Sequence, residues 1–229
     1  MKLSDFRGIF KNNKIKLINK ENPVGDYWVF DFEIPGGLTW TPGEHGLFSF
    51  PDKKITGKKS RSFSIASTPD EGVIKIGTKI IDKPSDFKDK LRAMNPGDHL
   101  KLRGPFGWFK LPKTKSKLLF LAGGIGITPI RALYKQIDSE KSEFETELFF
   151  VSDSHIFMNE LESWGSSNTA FIESRDNFYR KLDEHLASSS RADYFYISGN
   201  PKLINQVTEN LKKAGVKKSQ IINDPFLGY

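Results

Sequence analysis

One stretch limits the possible folds of this chain more than any other, residues 118–129 with the sequence LLFLAGGIGITP. Its apolar run ends in three glycines, and apolar residues at helical spacing follow at Ile130, Leu133 and Ile137. This order predicts a buried parallel strand, a tight turn and the start of a helix. We predict that Thr128 caps the helix and that Pro129 is its first residue, where a missing N–H costs nothing.

The turn itself predicts a binding site for a polyanion. Gly123, Gly124 and Gly126 carry no Cβ, so a ligand can approach the backbone closely, and a helix N-terminus offers free N–H groups. We therefore interpret the turn as a pyrophosphate site. The dinucleotide fingerprint expects a third glycine, and the pattern here leads to Pro129 instead. A turn built of glycines for geometry alone is the alternative interpretation.

Composition narrows the class of protein. The 229 residues are enough for two domains with cores of their own, and they include no cysteine. Disulfides, thiolate metal sites and iron–sulfur clusters are therefore excluded within this sequence. We find no apolar stretch of membrane-spanning length and no signal peptide at the start, and we expect a cytoplasmic protein. The four histidines lack metal-ligand spacing, so we assign no metal.

The charge balance favours anionic partners. The formal net charge is +7 at pH 7, which steers anions toward the protein over long distances. Because the lysines are scattered and no nucleic-acid motif occurs, we expect no nucleic-acid partner. Phosphorylated cofactors and an acidic partner protein fit the charge equally well.

The first half of the chain predicts an antiparallel barrel over residues 1–112. Six short segments of alternating or β-rich sequence are separated by turn signals: Lys14–Asn19, Tyr27–Ile34, Gly46–Phe50, Arg61–Ser67, Val73–Ile81 and His99–Arg103. One helix is predicted from about Ser85 to Met94. Ser85 would cap it, and Phe87 and Leu91 would face inward.

The second half, residues 113–229, predicts a five-stranded parallel doubly wound sheet. Its strands are apolar and alternate with helical segments: Leu118–Ala122, Leu148–Val151, Ala170–Ile172, Tyr194–Ile197 and Ile221–Ile222. The polar run Lys113–Lys117 separates this domain from the barrel.

Residues 61–64 make the prediction specific. The sequence Arg61-Ser62-Phe63-Ser64 resembles the Arg-x-aromatic-Ser flavin motif of the ferredoxin–NADP reductase family. An arginine neutralises flavin phosphates, the aromatic ring packs along the flavin, and the serine hydroxyl can bond the ring. Four further segments resemble the family in the same order: Pro42–His45, Gly97-Asp98, Gly104–Phe109 and the loop Gly123–Pro129.

The resemblance implies a set of flavin-binding residues. The family places a Gly-x-x-Ser helix start near residue 85, but Asp82 replaces the glycine here, so only Ser85 and the following amides carry over. A pyrophosphate at that helix start implies FAD rather than FMN. The flavin-binding residues implied are Arg61, Ser62, Phe63, Ser64, Thr78, Lys79 and Ser85.

The same resemblance implies a nicotinamide nucleotide site. Its pyrophosphate loop comprises Gly123, Gly124, Gly126, Thr128 and Pro129. Beside it lie Ser198 and Gly199, where Ser198 stands in the place of a family cysteine, and Asn200-Pro201 starts a helix. The ending Asn223–Tyr229 resembles the family's acidic-x-Phe-x-Gly-Tyr tail, which implies Tyr229 near the flavin and Asp224 near the nicotinamide. The implied catalytic residues are Ser64, Ser198 and Asp224.

Two signals bear on the choice between NADPH and NADH. Asp153 follows the strand that ends at Val151, where an acid can bind ribose hydroxyls and repel a 2′-phosphate. Ser174-Arg175 ends the next strand and resembles the family's 2′-phosphate clamp, with Tyr179 able to stack on adenine. We favour NADPH, with NADH as the alternative.

The implied reaction is hydride transfer from NAD(P)H to bound FAD, followed by electron transfer to a separate acceptor. Ferredoxin, flavodoxin, free flavin and a ferric complex are the candidate acceptors. An alternative is a flavin-binding electron-transfer subunit that turns over only within a larger complex. A basic phosphate- or nucleic-acid-binding protein on a similar fold is a third possibility. We expect a monomer that meets a small acidic electron-transfer protein or a small-molecule acceptor.

Overall fold

The computed structural model describes residues 3–164, 168–189 and 191–224. These residues divide into two compact units, 3–110 and 111–224. Each unit has its own sheet and its own apolar core. The assignment of FAD to residues 1–112 and of the nicotinamide nucleotide to residues 113–229 stays a prediction.

The first unit is a curled six-stranded antiparallel sheet, as predicted. Its strands are β1 (Asn12–Val24), β2 (Tyr27–Phe32), β3 (His45–Ser49), β4 (Ser60–Ser64), β5 (Ile74–Lys79) and β6 (His99–Phe106). They lie in the order β4-β3-β6-β1-β2-β5. The sheet curls until its two edges meet, since the Ala66 amide after β4 donates to the Lys75 carbonyl of β5 at 2.8 Å.

Strand β1 runs five residues beyond the predicted end at Asn19. The sequence Glu21-Asn22-Pro23 favours a turn, because asparagine and proline are common in turns. In the structure the Asn22 side chain donates to the carbonyls of Gly25 and Tyr27, at 2.9 and 2.6 Å. These bonds support the end of β1 at the hairpin, where the pairing of β1 with β2 also shifts register.

Helix α1 (Asp86–Arg92) lies against the barrel core. As predicted, Ser85 caps it and accepts a hydrogen bond from the Lys88 amide, and Phe87 and Leu91 are fully buried. The Phe87 ring packs 5.2 Å from Phe50 and 6.2 Å from Phe63, centroid to centroid. The helix therefore closes one side of the aromatic core.

The second unit is a five-stranded parallel sheet flanked by helices, as predicted. Its strands are β7 (Lys117–Gly123), β8 (Glu145–Val151), β9 (Thr169–Ile172), β10 (Tyr194–Ser198) and β11 (Ile221–Asn223). The helices between them are α2 (Ile127–Ser139), α3 (Met158–Trp164), α4 (Arg175–Ala187) and α5 (Pro201–Lys213). The strand order β11-β10-β7-β8-β9 puts two strands on each side of β7.

That order creates a topological switch point between β7 and β10. The chain leaves β7 toward β8 and β9, then crosses back to β10 and β11 on the other side. Helices after β7 and after β10 diverge from such a point and leave a crevice at the carboxyl ends of the strands, where doubly wound folds bind ligands. The glycine turn and Ser198 both lie at this edge.

The predicted start of α2 was wrong. The helix begins at Ile127 with Gly126 as its N-cap. A short 3-10 turn, Gly124–Gly126, leads directly into the helix, so the helical backbone starts before Thr128. The Thr128 hydroxyl therefore donates to the Ile125 carbonyl at 3.0 Å instead of accepting an amide proton. Gly124 has φ +53°, a conformation that glycine adopts without strain.

Candidate functional site

The glycine turn after β7 packs directly against the turn after β10. A Cβ added at Gly126 would lie 2.5 Å from the Gly199 nitrogen and from the carbonyl carbon and oxygen of Ser198. A Cβ at Gly123 would lie 2.4 Å from the Leu203 Cδ2 atom of α5. At Gly126 the two turns thus meet backbone to backbone, so the packing requires glycine there, whereas at Gly123 a Cβ would meet a side chain.

Part of the turn stays open at the carboxyl edge. Gly123, Gly124 and Ile125 are partly exposed, whereas Gly126, Thr128 and Pro129 are buried beneath them. The accessible backbone is therefore the first half of the turn, beside the start of α2. Amides at a helix start favour an anion, and α2 is long enough at 13 residues to contribute a helix dipole.

Ser198 and Asp224 form a buried pair at the same edge. Ser198 is fully buried, and its hydroxyl donates to the Asp224 Oδ2 atom at 2.9 Å. The Asp224 amide donates to the Ile197 carbonyl at 2.9 Å, which continues the pairing of β10 with β11. A charge-assisted hydrogen bond of this kind fixes a carboxylate in place. The sequence pointed to each residue separately, and the pairing of the two strands brings them together.

The predicted 2′-phosphate clamp lies at the start of α4. The Ser174 hydroxyl caps the helix by accepting from the Asn177 amide at 3.2 Å, and its own proton remains available to a ligand. Arg175 is exposed, and Tyr179 lies one turn further along the helix. Burial raises the pKa of Tyr179, and the positive charge of Arg175 partly offsets that effect. The guanidinium and the ring are therefore near neighbours.

The competing acid, Asp153, lies in the segment that follows the adjacent strand β8. Its side chain is exposed, while the Ser152 hydroxyl donates to the Ser154 carbonyl at 2.6 Å. The His155 Nε2 atom lies 3.1 Å from the Phe150 carbonyl and 3.3 Å from the Ile172 carbonyl. Since carbonyls only accept, Nε2 carries the proton and ties the segment to the ends of β8 and β9.

The first unit holds two cations close together beside α1. Arg61 donates to the carbonyls of Lys58 and Ser60, at 2.6 and 3.1 Å, and its guanidinium lies 5.3 Å from the centre of the Phe87 ring. The pKa of Lys88 is lowered, first by burial and then by the charge of Arg61. The Lys88 ammonium donates to the Lys79 carbonyl at 2.8 Å. A bound phosphate would relieve the repulsion between the two cations.

The other predicted flavin residues lie on β4, on β5 and at the start of α1. Phe63 packs in the core between Phe48 and Phe87, with 8% of its surface exposed. Ser64 and Thr78 are buried, Ser62 and Lys79 are partly buried, and Ser85 is exposed at the start of α1. Their roles toward a flavin stay predictions. Tyr229 lies outside the described residues.

His45 is a buried residue that has no part in the predicted site. It lies opposite Ser64 in the pairing of β3 with β4 and edge-on to Phe106, with 4.5 Å between ring centroids. Its Nδ1 atom has no hydrogen-bond partner among the described residues, and burial lowers the pKa of the imidazole to about 4. The ring is therefore neutral at physiological pH.

We expect this histidine to make the first unit acid-sensitive. Below pH 6.5 the unfolded chain binds a proton at His45 that the folded state does not take up until about pH 4. Stability should therefore be full near neutral pH and fall by up to about 3 kcal/mol as the pH drops through that window. Urea unfolding across pH 4–7 measures it, and His45→Phe should flatten the curve. An unchanged slope in the variant would assign the effect to other groups.

Metal sites and membrane spans are both absent from residues 3–164, 168–189 and 191–224. There, no group of three or more His, Asp or Glu side chains is placed to hold a metal ion. No helix in these ranges combines the length and apolar character needed to cross a membrane.

No protein-family model matches the sequence. Among curated proteins the chain is similar to one subunit of Na(+)-translocating NADH-quinone reductase. The protein of Shewanella denitrificans is 25% identical over 92% of this chain and 59% of its own length. That of Idiomarina loihiensis is 26% identical over 81% of this chain and 54% of its own length. The chain thus spans little more than half of these curated relatives.

Solved structures resemble the chain in fold. Ferredoxin-NADP+ reductase from Plasmodium falciparum, solved with 2'P-AMP, matches 93% of this chain and 95% of its own, with a TM-score of 0.76 and 19% identity. The FAD/NAD-binding domain of nitric oxide dioxygenase from Vibrio cholerae matches 92% of this chain and 96% of its own, with a TM-score of 0.74 and 18% identity.

Proposed function

We propose that the chain, which has the fold of ferredoxin–NADP+ reductase-like FAD/NAD-binding domains, is a flavin-dependent electron-transfer protein. It takes hydride from a nicotinamide nucleotide onto bound FAD and passes the electrons to an acceptor. The observation that carries the proposal is the switch point between β7 and β10, where the glycine turn and the Ser198-Gly199 turn pack together at the ligand-binding edge.

The residues fit both cofactors. In the second unit, the partly exposed backbone of Gly123 and Gly124 allows the close approach of a pyrophosphate, and Ser174 and Arg175 offer a hydroxyl and a guanidinium to a 2′-phosphate. In the first unit, the charges of Arg61 and Lys88 repel each other, so a flavin phosphate bound beside them would stabilise both.

The chain supplies binding and electrostatics, whereas FAD, when bound, supplies the chemistry of accepting a hydride and releasing single electrons. Asp224, held by Ser198, is a fixed carboxylate at the edge where the nicotinamide is proposed to bind. Its negative charge stabilises the positive charge that a nicotinamide ring acquires when it gives up hydride. Ser64 is the proposed hydrogen-bonding partner of the flavin ring.

Our first candidate function is that of an electron-transfer subunit that works within a larger assembly. Support comes from the curated relatives, which are named as subunits of an NADH-quinone reductase. A self-contained ferredoxin or flavodoxin reductase is the second candidate, supported by the end-to-end match with the Plasmodium ferredoxin-NADP+ reductase.

One assay separates these candidates. The purified chain should be yellow and should oxidise NADH or NADPH with ferricyanide as acceptor. An assembly subunit should reduce ferredoxin and flavodoxin far more slowly than ferricyanide, whereas a self-contained reductase should reduce one of them at a comparable rate. A colourless protein without activity toward ferricyanide would contradict both candidates.

We propose NADPH as the preferred donor, and Arg175 tests the choice. Arg175→Ala should raise KM for NADPH about tenfold and leave KM for NADH nearly unchanged, because only NADPH carries the 2′-phosphate that Arg175 is proposed to bind. Steady-state kinetics with both donors measure it. The matched control is Arg180→Ala on the same helix, whose exposed side chain pairs with Glu184 at 2.6 Å. Equal effects on both donors, or a wild-type preference for NADH, would give the deciding role to Asp153.

A further inference from the structure

A fully buried arginine lies one turn into the helix that follows the glycine turn. Arg131 of α2 is 1% exposed, and arginine is almost never buried to this extent unless it is paired. Its Nε atom lies 2.6 Å from Oε2 of Glu160, and its Nη2 atom lies 2.7 Å from Oε1. The pair is bidentate, which fixes the orientation of both side chains.

Two aromatic rings enclose the same guanidinium. Its central carbon lies 5.1 Å from the ring centre of Phe157 and 5.0 Å from that of Trp164, within the range of cation–π attraction. Glu160 and both rings belong to one short stretch, α3 and the residue that precedes it. We call these four residues the Arg131 cluster: Arg131, Phe157, Glu160 and Trp164.

The cluster holds a backbone conformation that would otherwise be unfavourable. Phe157 has φ +64°, in the left-handed region that aromatic residues rarely adopt. Such a conformation persists only where surrounding contacts fix it. Phe157 ends the segment 152–157, which leaves β8 at the carboxyl edge and carries Asp153. His155 fixes the middle of this segment to the ends of β8 and β9.

We propose that Arg131 is a positioning residue for the nicotinamide nucleotide. Through the Arg131 cluster it fixes segment 152–157 to α2, the helix that begins at the glycine turn, so that the pyrophosphate and the adenosine half meet one rigid surface. The inference rests on the proposed function. Arg131 is buried, whereas the Glu160 side chain is 39% exposed. Because such an ion pair adds little net stability compared with apolar packing, we infer that it serves to fix orientation.

The test uses Arg131→Met in the full flavin-loaded chain. Methionine keeps much of the volume but removes the charge, so segment 152–157 loses its attachment to α2. Affinities for 5′-AMP and 2′,5′-ADP, measured by calorimetry, should both fall about tenfold. KM for NADH and for NADPH should rise by a similar factor, with kcat at saturation and flavin content unchanged. Arg180→Met, which breaks the exposed Arg180–Glu184 pair, is the matched control and should change none of these.

A second variant keeps the test decisive if Arg131→Met does not fold. Phe157→Gly removes one ring but suits φ +64°, and it should produce the same loss of nucleotide affinity. Wild-type affinity in a folded variant would overturn the inference. So would a loss of flavin and thermal stability in parallel with nucleotide affinity, or the failure of both variants to fold. If the wild type itself binds neither nucleotide, the proposed function fails instead.

Discussion

Replacing Gly126 by alanine is expected to abolish nicotinamide nucleotide binding and to destabilise the second unit by about 2–3 kcal/mol. The new Cβ would lie 2.5 Å from three backbone atoms of the Ser198-Gly199 turn. No rotamer change can relieve a backbone clash, so one of the two turns must move away from the switch point. Thermal unfolding and calorimetry with 2′,5′-ADP measure the two effects.

Gly36→Ala is the matched control for this substitution. A Cβ at Gly36 has no neighbour within 4 Å, so alanine should leave stability nearly unchanged or raise it slightly. If Gly126→Ala unfolds at the wild-type temperature and binds 2′,5′-ADP normally, the close packing of the two turns does not matter in solution.

Arg61→Ala is expected to lower flavin affinity about hundredfold, which corresponds to about 2.7 kcal/mol. The substitution removes the guanidinium proposed to neutralise a flavin phosphate, while the aromatic core beneath it, built on Phe63 and Phe87, stays in place. The protein should therefore fold and elute colourless after desalting. The flavin-to-protein absorbance ratio measures the loss, and mass spectrometry of the released cofactor identifies it.

Arg92→Ala on α1 is the matched control. Arg92 pairs with Asp89 at 2.8 Å on the surface, and its loss should leave flavin content unchanged. Full flavin retention in Arg61→Ala would remove Arg61 from the site. Release of FMN alone from the wild type would contradict the proposal that the chain binds FAD.

The strands could be predicted because their signals are local. Alternation in the first half and apolar runs in the second are set by which faces each strand buries, and every predicted strand occurs in the structure. Two predicted boundaries were wrong, the end of β1 and the start of α2, because the local sequence at each is compatible with two structures. Pro23 favours a turn yet lies at the end of a strand, and Thr128 suits a helix cap yet follows a 3-10 turn.

The site residues that the sequence did not connect depend on long-range packing. Ser198 and Asp224, which are 26 residues apart in the sequence, meet because the parallel strands β10 and β11 pair. Arg131 and Glu160 meet because two helices pack together, and neither residue belongs to a recognisable motif. His45 becomes notable only through its burial beside Ser64. A sequence shows which residues can do chemistry, whereas topology determines their neighbours.

The contact between the two turns limits which sequences the glycine turn could accept, but it does not limit changes at residues 174–175. Since the turn at Gly126 and the Ser198-Gly199 turn pack against each other, a replacement loop with any side chain at position 126 would collide unless residues 198–200 were changed with it. Residues 174–175 are exposed at the start of their own helix and can be exchanged alone. On the proposed function, we therefore expect that preference for one nucleotide over the other can be redesigned without changing the capacity to bind either.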